Sequence, residues 1–138
     1  MVFQRLAAFV AIVLLMPAPA RALNNCTTFG DYRDRSLVTV MTQGFRYSPA
    51  CARISQGATV RIVSEFGSHP LYGGTVSGGN ATIDPASPIG PFVQGLQAEV
   101  QLNTLGEFPY FCDFHYGMGM MGSILVEPEP VMFGDSFE

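Results

Sequence analysis

Phe108-Pro109-Tyr110-Phe111-Cys112-Asp113-Phe114-His115-Tyr116-Gly117-Met118-Gly119-Met120-Met121-Gly122-Ser123-Ile124-Leu125-Val126 reads as strand, loop, strand. Aromatic and apolar residues run up to Cys112, and an apolar, β-branched run resumes after Gly122. Both runs suit a pleated, half-buried surface. Between them a thiol, an imidazole and three thioethers share one short loop.

The same grammar extends upstream. Leu37-Val38-Thr39-Val40-Met41 is rich in β-branched residues. Thr59 to Phe66 alternates polar and apolar, with Val60, Ile62 and Phe66 in one phase, and Ala98 to Leu102 alternates again. Turn-formers separate the runs: Gln56-Gly57, Gly73-Gly74, Gly78-Gly79-Asn80, Pro85 to Pro88 and Gly90-Pro91. Gly73 to Asn80 reads as a hairpin or loop. It is not a phosphate cradle, because that motif needs a lysine and the chain has none. No stretch keeps a helical period over three turns. The pattern predicts an all-β fold, an antiparallel Greek-key β-sandwich of about seven to eight strands.

The chain of 138 residues opens with Arg5, an apolar run from Leu6 to Met16, and Pro17-Ala18-Pro19-Ala20-Arg21-Ala22. That order matches a secretory signal peptide over residues 1–22, cleaved after Ala22. The apolar run is shorter than the ~20 residues a membrane span needs, and no later segment spans. Residues 23–127 then form one domain, and 128–138 an acidic, flexible tail. Export places the protein in the periplasm or outside the cell. Without Arg5 and Arg21, five arginines face 11 acidic residues, a formal charge of −6. This argues against nucleic acid, which needs clustered cations. It suits a protein partner with a basic face.

Three cysteines lie beyond the leader: Cys26, Cys51 and Cys112. An odd count leaves one thiol unpaired. If Cys112 binds metal, Cys26 and Cys51 remain as a disulfide pair. The alternative, two free buried thiols, fits an oxidising compartment less well.

The ligand inventory points to one metal. The chain has two histidines, His69 and His115. Together with Cys112 and a methionine they make two imidazoles, a thiolate and a weak thioether, a set that serves Cu(I) and Cu(II) with little rearrangement. Three of these ligands come from one loop between two strands, and His69 must arrive from a distant strand end. Zinc would need a further strong ligand, and paired Cys-x-x-Cys spacing is missing. One copper ion held by His69, Cys112, His115 and Met120 is the resulting expectation.

Gly106 to Cys112, followed by Cys-x2-His-x4-Met and then Met121-Gly122-Ser123-Ile124-Leu125-Val126, resembles the copper loop and last two strands of the plastocyanin and pseudoazurin family of cupredoxins. Gly57-Ala58-Thr59-Val60 followed by His69 resembles the approach to that family's first histidine. The resemblance covers about Leu37 to Val126. It implies a cupredoxin-like sandwich, a type 1 blue copper centre, and a monomeric one-electron carrier rather than an enzyme. The family's register favours Met120 over Met118 as the axial ligand. Tyr116, Gly117 and Met118 would form part of an apolar docking ring beside His115. Redox partners would be a c-type cytochrome or a copper-containing reductase or oxidase. One departure stands out. The family places Asn after its first histidine, where the amide bonds the thiolate, but Pro70 has no N–H. Many members have Pro two residues after the cysteine, where this chain has Phe114. The donor to sulfur is therefore expected from Phe114. The competing function is copper capture and delivery, for which clustered methionines would suit Cu(I). Catalysis of the multicopper type would require further histidines.

Overall fold

The computed structural model describes residues 22–131. The leader, save Ala22, and the tail from residue 132 onward lie outside them. Ten strands are present among the described residues: β1 (Gly30–Asp31), β2 (Leu37–Gln43), β3 (Arg46–Ser48), β4 (Cys51–Ser55), β5 (Thr59–Val63), β6 (Leu71–Ser77), β7 (Asn80–Ile83), β8 (Gln97–Gln101), β9 (Gly106–Cys112) and β10 (Met121–Glu127). Two 3₁₀ turns, Leu23–Asn25 and Tyr116–Met118, are the only helical elements there. One sheet has the order β1-β4-β10-β9-β6-β7 and the other β3-β2-β5-β8.

The alternating segments fold as read. Val38 and Val40 of β2, Val60 and Ile62 of β5, and Ile124 and Val126 of β10 point into one core with Ile54, Phe66, Leu71 and Tyr110. Each such side chain contributes about 1.5–3 kcal/mol when fully buried.

Two expectations are corrected. The strands number ten rather than seven to eight. β1 and β3 have two and three residues, too few for alternation to show. The sandwich is also mixed, not antiparallel: β4 runs parallel to β1 and to β10, and β2 runs parallel to β5. Alternation identifies the buried face of a strand but carries no information on its direction.

β9 lies at the middle of the larger sheet. It pairs with β10 over six residues, from Met121 opposite Phe111 to Val126 opposite Gly106. On its other side β6 pairs with it from Leu71 opposite Cys112 to Gly73 opposite Tyr110. That pairing stops one residue before Pro109, which has no N–H to offer a neighbour. β6 then turns at Gly74 to pair with β7. The Gly73 to Asn80 segment is thus a hairpin of two strands. The short β6–β9 ladder brings the chain just before Leu71 beside Cys112.

The amino-terminal stretch is fastened twice. Cys26 and Cys51 form a disulfide, with Cα atoms 5.5 Å apart. Asn24, buried in the first 3₁₀ turn, donates its side-chain amide to the carbonyls of Gly74, Tyr110 and Gly122 at 3.1, 2.8 and 3.1 Å. Its carbonyl oxygen accepts the Val76 N–H at 2.8 Å. β10 ends at Glu127, and Pro128 to Val131 are exposed.

Candidate metal centre

Cys112 is the last residue of β9, fully buried and without a disulfide. Beyond it the chain closes on itself. The Cys112 N–H donates to the Met120 carbonyl at 2.9 Å, the Met120 N–H to the His115 carbonyl at 3.2 Å, and the Met118 N–H to the same carbonyl at 2.9 Å. Gly119, at φ 92°, takes the left-handed turn that returns the chain to β10. The loop is thereby held by its own backbone hydrogen bonds.

His69 arrives from a distant strand end, as expected, beside the start of β6 rather than on β5. It stands two residues before β6, at the end of a turn organised by Glu65. The carboxylate of Glu65 accepts the N–H groups of Gly67 and Ser68 at 3.1 and 2.9 Å, and its carbonyl accepts that of His69 at 2.9 Å. Contacts from Ser68, and then from Gly67 and the His69 ring, hold the Glu65 carboxyl below its ordinary range.

Three donor atoms converge. The Nδ1 atoms of His69 and His115 are 3.1 Å apart, and the Cys112 Sγ lies 3.9 Å from the first and 3.6 Å from the second. Bonds of about 2.0–2.1 Å to nitrogen and 2.3 Å to sulfur around one ion leave ligand atoms at such separations. His69, Cys112 and His115 therefore fit one small cation, and they are the cluster of metal-binding side chains found among the described residues. Burial, and then the neighbouring His115, push the His69 pKa down, against an opposing pull from Glu65. Burial and His115 both favour the neutral ring, the form that can ligate. Burial raises the Cys112 pKa, and the Asp113 charge adds to this. The amides of Phe114 and His115 act in the opposite sense. Pro70, with no donor of its own, is buried, and its carbonyl accepts the Asp113 N–H at 2.9 Å.

The two methionines of the loop separate cleanly. Met120 is 0% exposed and packs in the core cluster that contains Cys112, whereas Met118 is 55% exposed. Gly117 is exposed, and Tyr116 is half-buried with its ring edge-on to Phe111 at 5.8 Å between centroids. Phe114 is 63% exposed, so its ring faces solvent.

Sequence reasoning missed two participants. The His115 amide, which donates to the Cys112 carbonyl at 3.3 Å, also acts against the rise in the Cys112 pKa. Phe45, in the turn between β2 and β3, packs its ring against His115 with centroids 4.5 Å apart. Neither carries a motif.

A family match agrees with this chemistry. A model of copper-binding proteins of the plastocyanin/azurin family matches residues 35–127. Among solved structures, amicyanin from Paracoccus versutus (Thiobacillus versutus) is 24% identical over 66% of this chain and 81% of its own, with a TM-score of 0.46. Pseudoazurin from Methylobacterium extorquens AM1 is 20% identical over 65% of this chain and 74% of its own, with a TM-score of 0.45. A copper-containing nitrite reductase from Thermus scotoductus SA-01 is 26% identical over 68% of this chain but only 23% of its own, with a TM-score of 0.46. None of the curated proteins matches the chain.

Proposed function

Because the chain belongs to the plastocyanin/azurin family of copper-binding proteins, we propose that it is an exported one-electron carrier with His69, Cys112, His115 and Met120 as its copper ligands. Copper supplies the redox chemistry, alternating between Cu(I) and Cu(II). The observation that carries the reading is the convergence of both imidazoles on the one unpaired, fully buried thiol.

The protein's own contribution is rigidity. Cys112 is fixed by the β9 ladder, His115 and Met120 by the hydrogen-bonded loop, and His69 by the Glu65 turn. Ligands held from outside move little when the charge at the centre changes. The amides of Phe114 and His115 favour the Cys112 thiolate. Met120, fully buried, would offer the copper a weak thioether sulfur. Half-buried His115 faces the redox partner, within an apolar rim that includes Met118 and Phe114, 55% and 63% exposed. Such a small contact suits a transient complex, with a c-type cytochrome or a copper-containing reductase or oxidase as the partner class. The leader sequence supports export to the periplasm or beyond.

Copper delivery would call for exposed, exchangeable ligands, and buried Cys112 and Met120 weigh against it. Both histidines of the chain are taken by this cluster, leaving none for a second copper centre. The test is direct. Copper(II) added to the mature protein should give an intense visible thiolate-to-copper band that disappears and returns through a one-electron redox cycle. Cys112→Ser should abolish the band. A colourless protein that takes up only Cu(I) would overturn the carrier reading in favour of delivery.

A further inference from the structure

Ligating histidines are usually oriented by a hydrogen bond from the second ring nitrogen to a carbonyl, carboxylate or water. Among the described residues no protein group bonds the Nε2 of either His69 or His115. The contacts of both rings run through Nδ1 into the cluster. The other protein neighbours of the rings are aromatic.

Phe45 is one of them. Its ring lies tilted over His115, with centroids 4.5 Å apart and planes at 33°. It also meets His69 edge-on at 6.3 Å and 62°. The two imidazoles are 4.9 Å from each other, so the three rings form a closed triangle. Gly44, at φ 60°, lets the β2–β3 turn fold so that this one side chain reaches across to the other sheet's loop. Phe45 remains 47% exposed. A turn tip ordinarily carries a polar residue. This one carries an aromatic whose covered face rests on two metal ligands.

We propose that Phe45 is the positioning residue for His115. Its ring packs against the imidazole and keeps Nδ1 aimed at the cluster. The proposal rests on the copper reading above, and its test separates the two.

In copper-free wild-type protein, the His115 ring protons should show an upfield NMR shift from the Phe45 ring current, and Phe45→Ala and Phe45→Leu should remove it. In the copper-loaded protein, Phe45→Ala should release metal to a competing chelator roughly two- to tenfold faster, the factor that an aromatic pair of this geometry contributes. Its reduction potential and visible band should move with that change. Phe45→Tyr should restore all three readouts, and Phe45→Leu should not. A Phe45→Leu protein that matches wild type in release rate, potential and spectrum would overturn the proposal, since apolar cover alone would then suffice. A wild-type protein without the visible band would instead defeat the copper reading, while the copper-free NMR shift would still report on the stacking.

Discussion

Met118 and Met120 are two residues apart and differ in what an axial ligand requires. Water competes for a weak sulfur bond and is excluded from Met120, which is fully buried, but not from Met118, which is 55% exposed. Replacing the thioether of Met120 by an isosteric apolar chain leaves the two nitrogens and the thiolate in place. Met120→Leu should therefore keep the visible band and shift the reduction potential by an amount on the order of tens of millivolts. Met118→Leu should leave the potential near the wild-type value. A redox titration of both variants checks this, and an equal shift in both would reverse the assignment. Much of the centre could be read from residue types alone. Cys112, His69 and His115 stand out because such side chains are scarce in the chain, and scarcity forces them into one scheme. Phe45 could not be read that way. It is one of 11 phenylalanines, and its role arises only when the β2–β3 turn meets a loop seventy residues away.

Elements with regular alternation, such as β2 and β5, were legible because burial on one face writes a period of two into the sequence. β6 was not, because Gly73 and Gly74 interrupt its pattern. Packing explains the first glycine: a Cβ at Gly73 would collide with the Ser87 side chain and the Ile89 carbonyl. A close approach of the chain thus removed the side chain that would have marked the strand. The same applies to Gly122 in β10, where a Cβ would strike the Ala50 carbonyl and the Tyr110 hydroxyl. Asn24 is the counterpart at the amino-terminal edge. One side chain bonds three carbonyls on β6, β9 and β10 and one N–H on β6. A typical hydrogen bond contributes about 1 kcal/mol, and stranded buried groups cost more. Asn24→Ala should lower unfolding stability by about 2–4 kcal/mol. Urea denaturation should show this as a lower midpoint with an unchanged slope. A loss under half a kcal/mol would mean that water replaces the side chain at little cost.

At the scale of the whole molecule, composition announced an acidic protein but not where its charge lies. The formal charge is −4 over the full chain. Four of the five arginines among the described residues are neutralised in ion pairs: Arg33 with Asp31 and Glu127, Arg35 with Asp34, Arg53 with Glu127, and Arg61 with Glu99. Arg46 has no such partner there. Its guanidinium lies against the copper loop, with Nη1 3.2 Å from where a Cβ on Gly119 would stand. Exposed Asp113 follows Cys112 directly, and exposed Glu65 anchors the turn that carries His69. Two carboxylates against one guanidinium leave the metal end negative, in line with the molecule as a whole. Long-range steering should therefore favour cationic reaction partners and weaken as salt shortens the Debye length. The reduced protein should be oxidised by a cationic cobalt(III) chelate roughly two- to fivefold more slowly when ionic strength rises from about 10 to about 200 mM. Oxidation by anionic ferricyanide should quicken over the same range. Stopped-flow rates with both oxidants decide the point. If the trends are reversed, the field of Arg46 outweighs the acidic surface at the site of electron exit. The partner's contact face would then have to be acidic near that arginine, and Arg46→Ala should return both salt trends to the acidic pattern.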